Sequence, residues 1–160
     1  MNDFCYGRYS KFQFDRLIST VDNCIKLGTI ERDVFGQIGN SEYIPQNFEY
    51  ARYLSAEQYN MYLEKCDIII SHSGVATIVK GIRSGKKVIV VPRLKKYGEH
   101  VDDYQIQIAD TFEKMNFIVQ CVDLDQLPQK IEWAKHHKFN VYQSQREAVV
   151  KTIEEYLNNL

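Results

Sequence analysis

With 160 residues, 44% of them apolar and 26% charged, the chain has the make-up of one ordinary globular domain and too little length for two independent cores. Its 8 Gly and 3 Pro fall well below the usual combined share of about 12%, which excludes a collagen-like or low-complexity chain. Twenty Lys and Arg against 21 Asp and Glu leave a net charge of -1, so no global field recruits nucleic acid or an anionic membrane.

Short β-branched runs alternate with longer segments of helical period, which is the pattern of a parallel sheet with crossover helices. Residues 4–7 make a poor first strand, because Asn2 and Asp3 stand where a buried strand wants apolar residues. Phe14, Leu17, Ile18, Val21, Cys24 and Ile25 recur at helical spacing, and Gly28 marks the stop. A strand is expected over 33–38, a loop over 39–47, and a short strand over 49–54. Ser55 with Gln58 three residues on forms a capping-box pattern for a helix running to about Lys65.

Residues 67–71 (DIIIS) and 87–91 (KVIVV) read as buried strands flanking a helix over 74–84, which makes a βαβ unit. A loop follows over 92–101, then a helix over 102–115 and a last strand over 117–122. Helices are expected over 126–137 and 143–160, with apolar stripes through Ile131, Trp133 and Ala134 and through Ala148, Val149, Ile153 and Leu157. No internal repeat or linker interrupts residues 1–160, so the whole chain is expected to form a single domain.

No run approaches the roughly 18–20 apolar residues of a membrane span, and the first ten residues lack the apolar run of a signal peptide. A cytoplasmic protein is expected. Cys5, Cys24, Cys66 and Cys121 are widely spaced and read as small buried hydrophobes, not as zinc ligands or disulfide partners.

Four constellations carry potential chemistry. The first is Ser71 to Thr77 (SHSGVAT), small and polar residues between a buried strand and a first helical turn. Free N–H groups and about half a positive charge at a helix N-terminus suit an anion, and Gly74 would let a phosphate approach the backbone. The competing reading is a tight turn whose Ser and Gly only cap the helix. The second is a stretch from 80 to 96 holding Lys80, Arg83, Lys86, Lys87, Arg93, Lys95 and Lys96 with no acidic residue. It suits an anionic ligand or membrane surface, or simply a solvated face.

The third is Gly98 to Gln105 (GEHVDDYQ), which packs carboxylates, an imidazole and an amide at the start of a helix. In a doubly wound sheet this loop and the 71–77 turn both lie at the carboxyl ends of strands, where ligands bind. One of Asp102 and Asp103 is expected to cap the helix. The fourth, Asp123-Leu124-Asp125, matches a metal-binding D-x-D, but three residues recur easily by chance and Asp125 is better read as an acidic cap. His136 and His137 read as a surface pair at a helix end.

Residues 67–74 (DIIISHSG), 85–93 (GKKVIVVPR) and 96–105 (KYGEHVDDYQ), together with 11–18 (KFQFDRLI), resemble the PssE/EpsF-type subunits of bacterial exopolysaccharide and capsule glycosyltransferases, within glycosyltransferase family 28. The resemblance implies a Rossmann-like parallel sheet with helices on both faces. That is one half of a GT-B enzyme, similar to the C-terminal domain of the peptidoglycan N-acetylglucosaminyltransferase. By position, Ser73, Gly74 and Thr77 match the turn that holds the nucleotide diphosphate. Tyr104 and Gln105 match contacts to the donor sugar, and Glu99, His100, Asp102 and Asp103 match the neighbouring signature.

The implied activity is that of an inverting subunit that transfers a sugar, galactose before others, from a UDP-sugar to an undecaprenyl-diphosphate-linked glycan. No metal or other cofactor is expected, and Glu99 and His100 are the candidate bases. A PssD-like membrane-associated partner would supply the acceptor half. That partner would draw the chain to the inner face of the cytoplasmic membrane, with residues 98–103 and 143–160 as contact surfaces and the basic stretch facing the bilayer. Two departures stand out. Lys80 occupies a position where many relatives carry a ribose-binding Glu, and the polar N-terminus carries one extra residue before Lys11. They leave open a non-catalytic UDP-sugar-binding scaffold as the alternative.

Overall fold

The computed structural model describes residues 2–6 and 12–142. Within them, in chain order, lie β1 (Asn2–Tyr6), α1 (Asp15–Leu27), β2 (Val34–Gln37), β3 (Glu49–Ala51), α2 (Ala56–Lys65), β4 (Cys66–Ser71), α3 (Val75–Arg83), β5 (Lys87–Val90), α4 (Tyr104–Lys114), β6 (Val119–Gln120) and α5 (Leu127–His136). The strands form one sheet in the order β3-β2-β1-β4-β5-β6, and every pairing is parallel. This is the doubly wound order, whose direction of winding reverses between β1 and β4.

Alternation along the central strands sets the layers. Ile68, Ile70, Ile89 and Val91 share a buried cluster with Leu17, Ile18 and Val21 of α1 and Leu127, Ile131 and Ala134 of α5. The intervening Ile69, Val88 and Val90 belong to a second cluster with Leu63 of α2, Ile78 and Ile82 of α3 and Ala109 of α4. A strand buried on both faces must be apolar throughout, which is why β4 and β5 read as unbroken hydrophobic runs. Each fully buried aliphatic side chain contributes roughly 1.5–3 kcal/mol. Helix α3 lies so close to the sheet that a Cβ on Gly81 would meet Val88 Cγ2 at 2.8 Å and Ile69 Cδ1 at 2.9 Å.

Local signals place the helix ends. Gly28, with φ 71°, closes α1 in the left-handed conformation. Ser55 and Gln58 make the reciprocal capping box at the start of α2. Ahead of α5, a turn of 3-10 helix over Leu124–Gln126 is capped by Asp123, whose side chain accepts from the Asp125 amide. The cap is therefore Asp123, where the sequence pointed to Asp125, because the chain enters α5 through this extra turn. Loop 39–47 is tied to α1 by the buried Asp22, which accepts hydrogen bonds from Tyr43 Oη, the Gln46 and Asn47 amides and Asn47 Nδ2.

The first strand expected over 4–7 runs over residues 2–6 as β1, hydrogen-bonded to β2 on one side and β4 on the other. Asn2 and Asp3 fall at its amino end, where the pairing with β4 shifts register. The expected basic surface is divided. Lys80 and Arg83 lie on α3 and Lys87 at the amino end of β5, while Arg93, Lys95 and Lys96 follow its carboxyl end. Arg93 is buried. A four-residue strand separates the two groups, which therefore lie at its two ends. The expected helix over 143–160 lies outside the described residues.

Candidate functional site

The carboxyl ends of β4 and β5 gather nearly all the candidate residues. Ser71 closes β4, residues 72–74 turn, and α3 begins at Val75 with Gly74 as N-cap and no side-chain cap. The Thr77 and Ile78 amides already bond to Gly74 O, at 2.9 and 3.0 Å, which leaves the Val75 and Ala76 amides as the open donors of this helix end. Beneath them, Ser71 and Ser73 are buried, at 0% and 1% exposure, yet neither hydroxyl has a hydrogen-bond partner among the described residues. Buried polar groups are rarely left so. Thr77 is buried beside them.

Gly74 is explained by a neighbour. A Cβ there would lie 2.7 Å from His72 Nε2, so the missing side chain makes room for the buried imidazole. The space that a side chain on Gly74 would need is taken by His72.

The second loop is built by its own polar side chains. Gln105, at the start of α4, accepts through one oxygen from the Ser73 amide at 3.3 Å and the Arg93 amide at 3.0 Å, clasping the β4 and β5 turns together. Asp103 stands at the N-cap position of α4, but its side chain accepts from the Lys95 amide and holds the loop closed, while Asp102, one residue before it, accepts from the Tyr104 amide. Tyr104 is 60% exposed at the rim, together with Val75, Tyr97 and Val101.

Glu99 and His100, neighbours in sequence, differ in role. Glu99 is fully buried. Its two oxygens take Arg16 Nε and Arg16 NH2, each at 3.0 Å, and Oε2 also accepts the Leu94 amide at 3.0 Å. Both carboxylate oxygens are thus taken up by Arg16 and the Leu94 amide, so Glu99, expected as a candidate base, anchors this loop in the structure. His100 is half-buried, its Nδ1 lies 3.0 Å from Asp102 Oδ1, and its ring packs near Phe12. An imidazole whose Nδ1 is held by a carboxylate presents Nε2 as the free nitrogen.

Sequence reading missed Arg16 and the placement of Arg93. Arg16 reaches from α1 to Glu99 and to Pro92 O at 3.0 Å. Arg93 is 3% exposed, with its guanidinium 5.0 Å from the Phe14 ring centroid. The only available signal was position: an arginine directly after the proline that ends a buried strand. Lys80, at the expected ribose position, bonds instead to Asn60 Oδ1 at 2.6 Å and lies over the Tyr59 ring of α2.

A cavity of about 730 Å3, lined by Arg32, Asp33, Gln46, Asn47 and Lys65 among others, opens at the opposite, amino edge of the sheet. None of its lining residues carries a buried side-chain atom left without a hydrogen bond. Among the described residues, the buried side-chain atoms without a hydrogen bond are at the carboxyl edge.

A family model described as the glycosyltransferase family 28 C-terminal domain matches residues 10–160. Over 60 residues the chain is 35% identical to the UDP-N-acetylglucosamine transferase subunit ALG13 of Candida albicans, a stretch that is 38% of this chain and 19% of that protein. Among solved structures, the chain is similar to an NMR structure of ALG13 with a TM-score of 0.59 and 17% identity, covering 95% of this chain and 94% of that one. It is similar to the glycotransferase of kitacinnamycin with a TM-score of 0.62 and 17% identity, over 85% of this chain and 35% of that one. For the spinosyn forosaminyltransferase SpnP the values are 0.53 and 16%, over 84% and 35%. These likenesses bear out the expected fold, a parallel α/β sheet forming one half of a GT-B glycosyltransferase.

Proposed function

The chain belongs to the glycosyltransferase family 28 C-terminal domain family, and from that premise we propose that it is the donor-binding subunit of an inverting, UDP-sugar-dependent glycosyltransferase. The observation that carries this is the uncapped N-terminus of α3 set over the unpartnered hydroxyls of buried Ser71 and Ser73. A nucleotide diphosphate placed there would accept from the Val75 and Ala76 amides and from both hydroxyls. As the bond between the anomeric carbon and the β-phosphate oxygen breaks, UDP leaves with the electron pair, and the helix end stabilises the growing charge without a metal.

The acceptor hydroxyl must lose a proton as it attacks. His100 suits this role, because its contact with Asp102 orients the ring and supports the imidazolium that forms. Glu99 acts through structure, fixing the loop by way of Arg16. Tyr104, at the rim, is placed to pack on the donor sugar, and Gln105 can reach it with its amide nitrogen while its oxygen clasps the two turns.

One half of a GT-B enzyme holds a donor without enclosing an acceptor. The exposed Val75, Tyr97, Val101 and Tyr104 along the open edge support docking of a second subunit there. In this reading a PssD-like membrane-associated partner carries the undecaprenyl-diphosphate-linked glycan and brings the chain to the cytoplasmic membrane surface. The donor is UDP-galactose, from the resemblance to exopolysaccharide and capsule enzymes. The likeness to ALG13, a UDP-N-acetylglucosamine transferase subunit, supports the broader points, a UDP-sugar and a subunit. The engagement of Lys80 with Asn60 and Tyr59 favours one second reading, a UDP-sugar-binding scaffold without turnover.

The test is sugar transfer to a lipid-diphosphate glycan by the co-expressed pair, with UDP-galactose, UDP-glucose and UDP-N-acetylglucosamine offered in parallel. Transfer from one donor, lost in His100→Ala, supports the catalytic reading. UDP binding without transfer from any donor supports the scaffold.

A further inference from the structure

Two guanidinium groups and one carboxylate meet under the carboxyl edge. Arg16 and Arg93 lie 5.7 and 5.0 Å from the centroid of the Phe14 ring, and Glu99 supplies the negative charge. Glu99 is spent on Arg16, with both its oxygens hydrogen-bonded to that guanidinium and the Leu94 amide completing it. Arg93 feels it only through space. The guanidinium of Arg93 makes no hydrogen bond among the described residues, and its Nε is fully buried without an acceptor. Burial pulls its pKa down and Glu99 offsets only part of this.

Arginine carries five donors and stays charged in practice, so burying it at 3% exposure with none of them used among the described residues is costly. A purely structural arginine would have a carbonyl or carboxylate against its fork. This one sits one residue past the proline that ends β5. Its own amide is held by the Gln105 oxygen that also holds the Ser73 amide, so its backbone is fixed beside the proposed diphosphate turn.

We propose that Arg93 is a ligand-binding residue whose guanidinium takes an oxyanion of the bound donor. The inference rests on the donor-site reading above and assigns that site a second anion-recognition group besides the N-terminus of α3. Two parts of a sugar nucleotide carry that chemistry, a phosphoryl oxygen of the diphosphate and a carboxylate on the sugar. The fork of Arg93 suits either as a paired hydrogen bond.

Calorimetric titration of the whole chain with inorganic pyrophosphate, UDP, UDP-glucose and UDP-glucuronate, for wild type, Arg93→Met and Arg93→Lys, tests this. Each protein is also melted without ligand. Arg93→Met should bind its target at least tenfold more weakly while its unliganded melting temperature is no lower than that of wild type, because an uncompensated buried cation has been removed. A structural arginine would instead lower that temperature and leave affinity alone. Loss with pyrophosphate and UDP assigns the diphosphate, and loss confined to UDP-glucuronate assigns a sugar carboxylate. If Arg93→Met does not fold, Arg93→Lys carries the same test, with a several-fold loss in support and unchanged affinity against. Equal binding of every probe by wild type and variant overturns the proposal, as does wild type binding none of the four. Pyrophosphate bound through Arg93 without any UDP binding would sink the nucleotide reading and leave this one standing.

Discussion

At the scale of single residues, the buried polar groups divide into those satisfied by the chain and those awaiting something else. Asp22 is of the first kind. Its burial would raise its pKa, but the hydrogen bonds from Tyr43, Asn47 and Gln46 outweigh that and hold it below the ordinary value. A carboxyl depressed in the folded state adds stability that is complete above its unfolded pKa, near 3.9, and is lost as pH falls through the folded value. Asp22→Asn should therefore cost about 1.5–3 kcal/mol at neutral pH, measured by urea denaturation, and the gap to wild type should narrow below pH 4. Burial also pushes the Cys121 thiol up to about 11, so it should resist alkylation at pH 8 until the chain unfolds. Gly74 serves His72, and Gly74→Ala already places a Cβ 2.7 Å from its Nε2. UDP affinity should fall at least tenfold as the turn is displaced, and an unchanged isotherm would refute the assignment of this turn. Sequence alone pointed to Gly74 as special but not to His72 beside it, because His72 comes into contact only through the fold of the turn.

At the scale of elements, periodicity carried most of the information. The helices over 15–27, 56–65 and 75–83 lie within a residue or two of their sequence-based bounds, because apolar spacing, the Ser55–Gln58 box and Gly28 are local. Strand β1 was only weakly legible because its place in the sheet depends on two strands far along the chain. The distribution of charge was equally hidden, since seven basic residues close together in sequence are divided between the two ends of β5. The seat of α3 on the sheet gives a test of the packing. Gly81→Val would press branched carbons into Val88 and Ile69 and should cost roughly 1–3 kcal/mol or more, seen as a lower melting temperature. The same change on exposed Ser84 should leave it nearly unmoved.

At the scale of the whole molecule, the carboxyl edge gathers a helix end with no side-chain cap, a carboxylate-held histidine and, among the described residues, buried hydroxyls and a guanidinium without hydrogen-bond partners. As one half of a GT-B enzyme, the isolated chain should bind UDP weakly and transfer little sugar, gaining activity when its partner is supplied. With the leaving charge met by backbone and arginine, transfer by the pair should survive EDTA, and abolition with rescue by Mn2+ would point to a different mechanism. The sequence motifs located this edge, since residues 71–77 and 98–105 both lie on it. They did not reveal that Glu99, Asp103 and Gln105 spend their acceptors on the loops, because hydrogen bonds between distant segments leave no local trace. The central claim is that UDP binds at the carboxyl edge, and amide chemical-shift mapping of the isotopically labelled chain during a UDP titration tests it most directly. Shifts should concentrate at residues 71–77, 93–94 and 99–105, and saturating UDP that moves none of these, or moves instead the residues around the amino-edge cavity, would contradict the account.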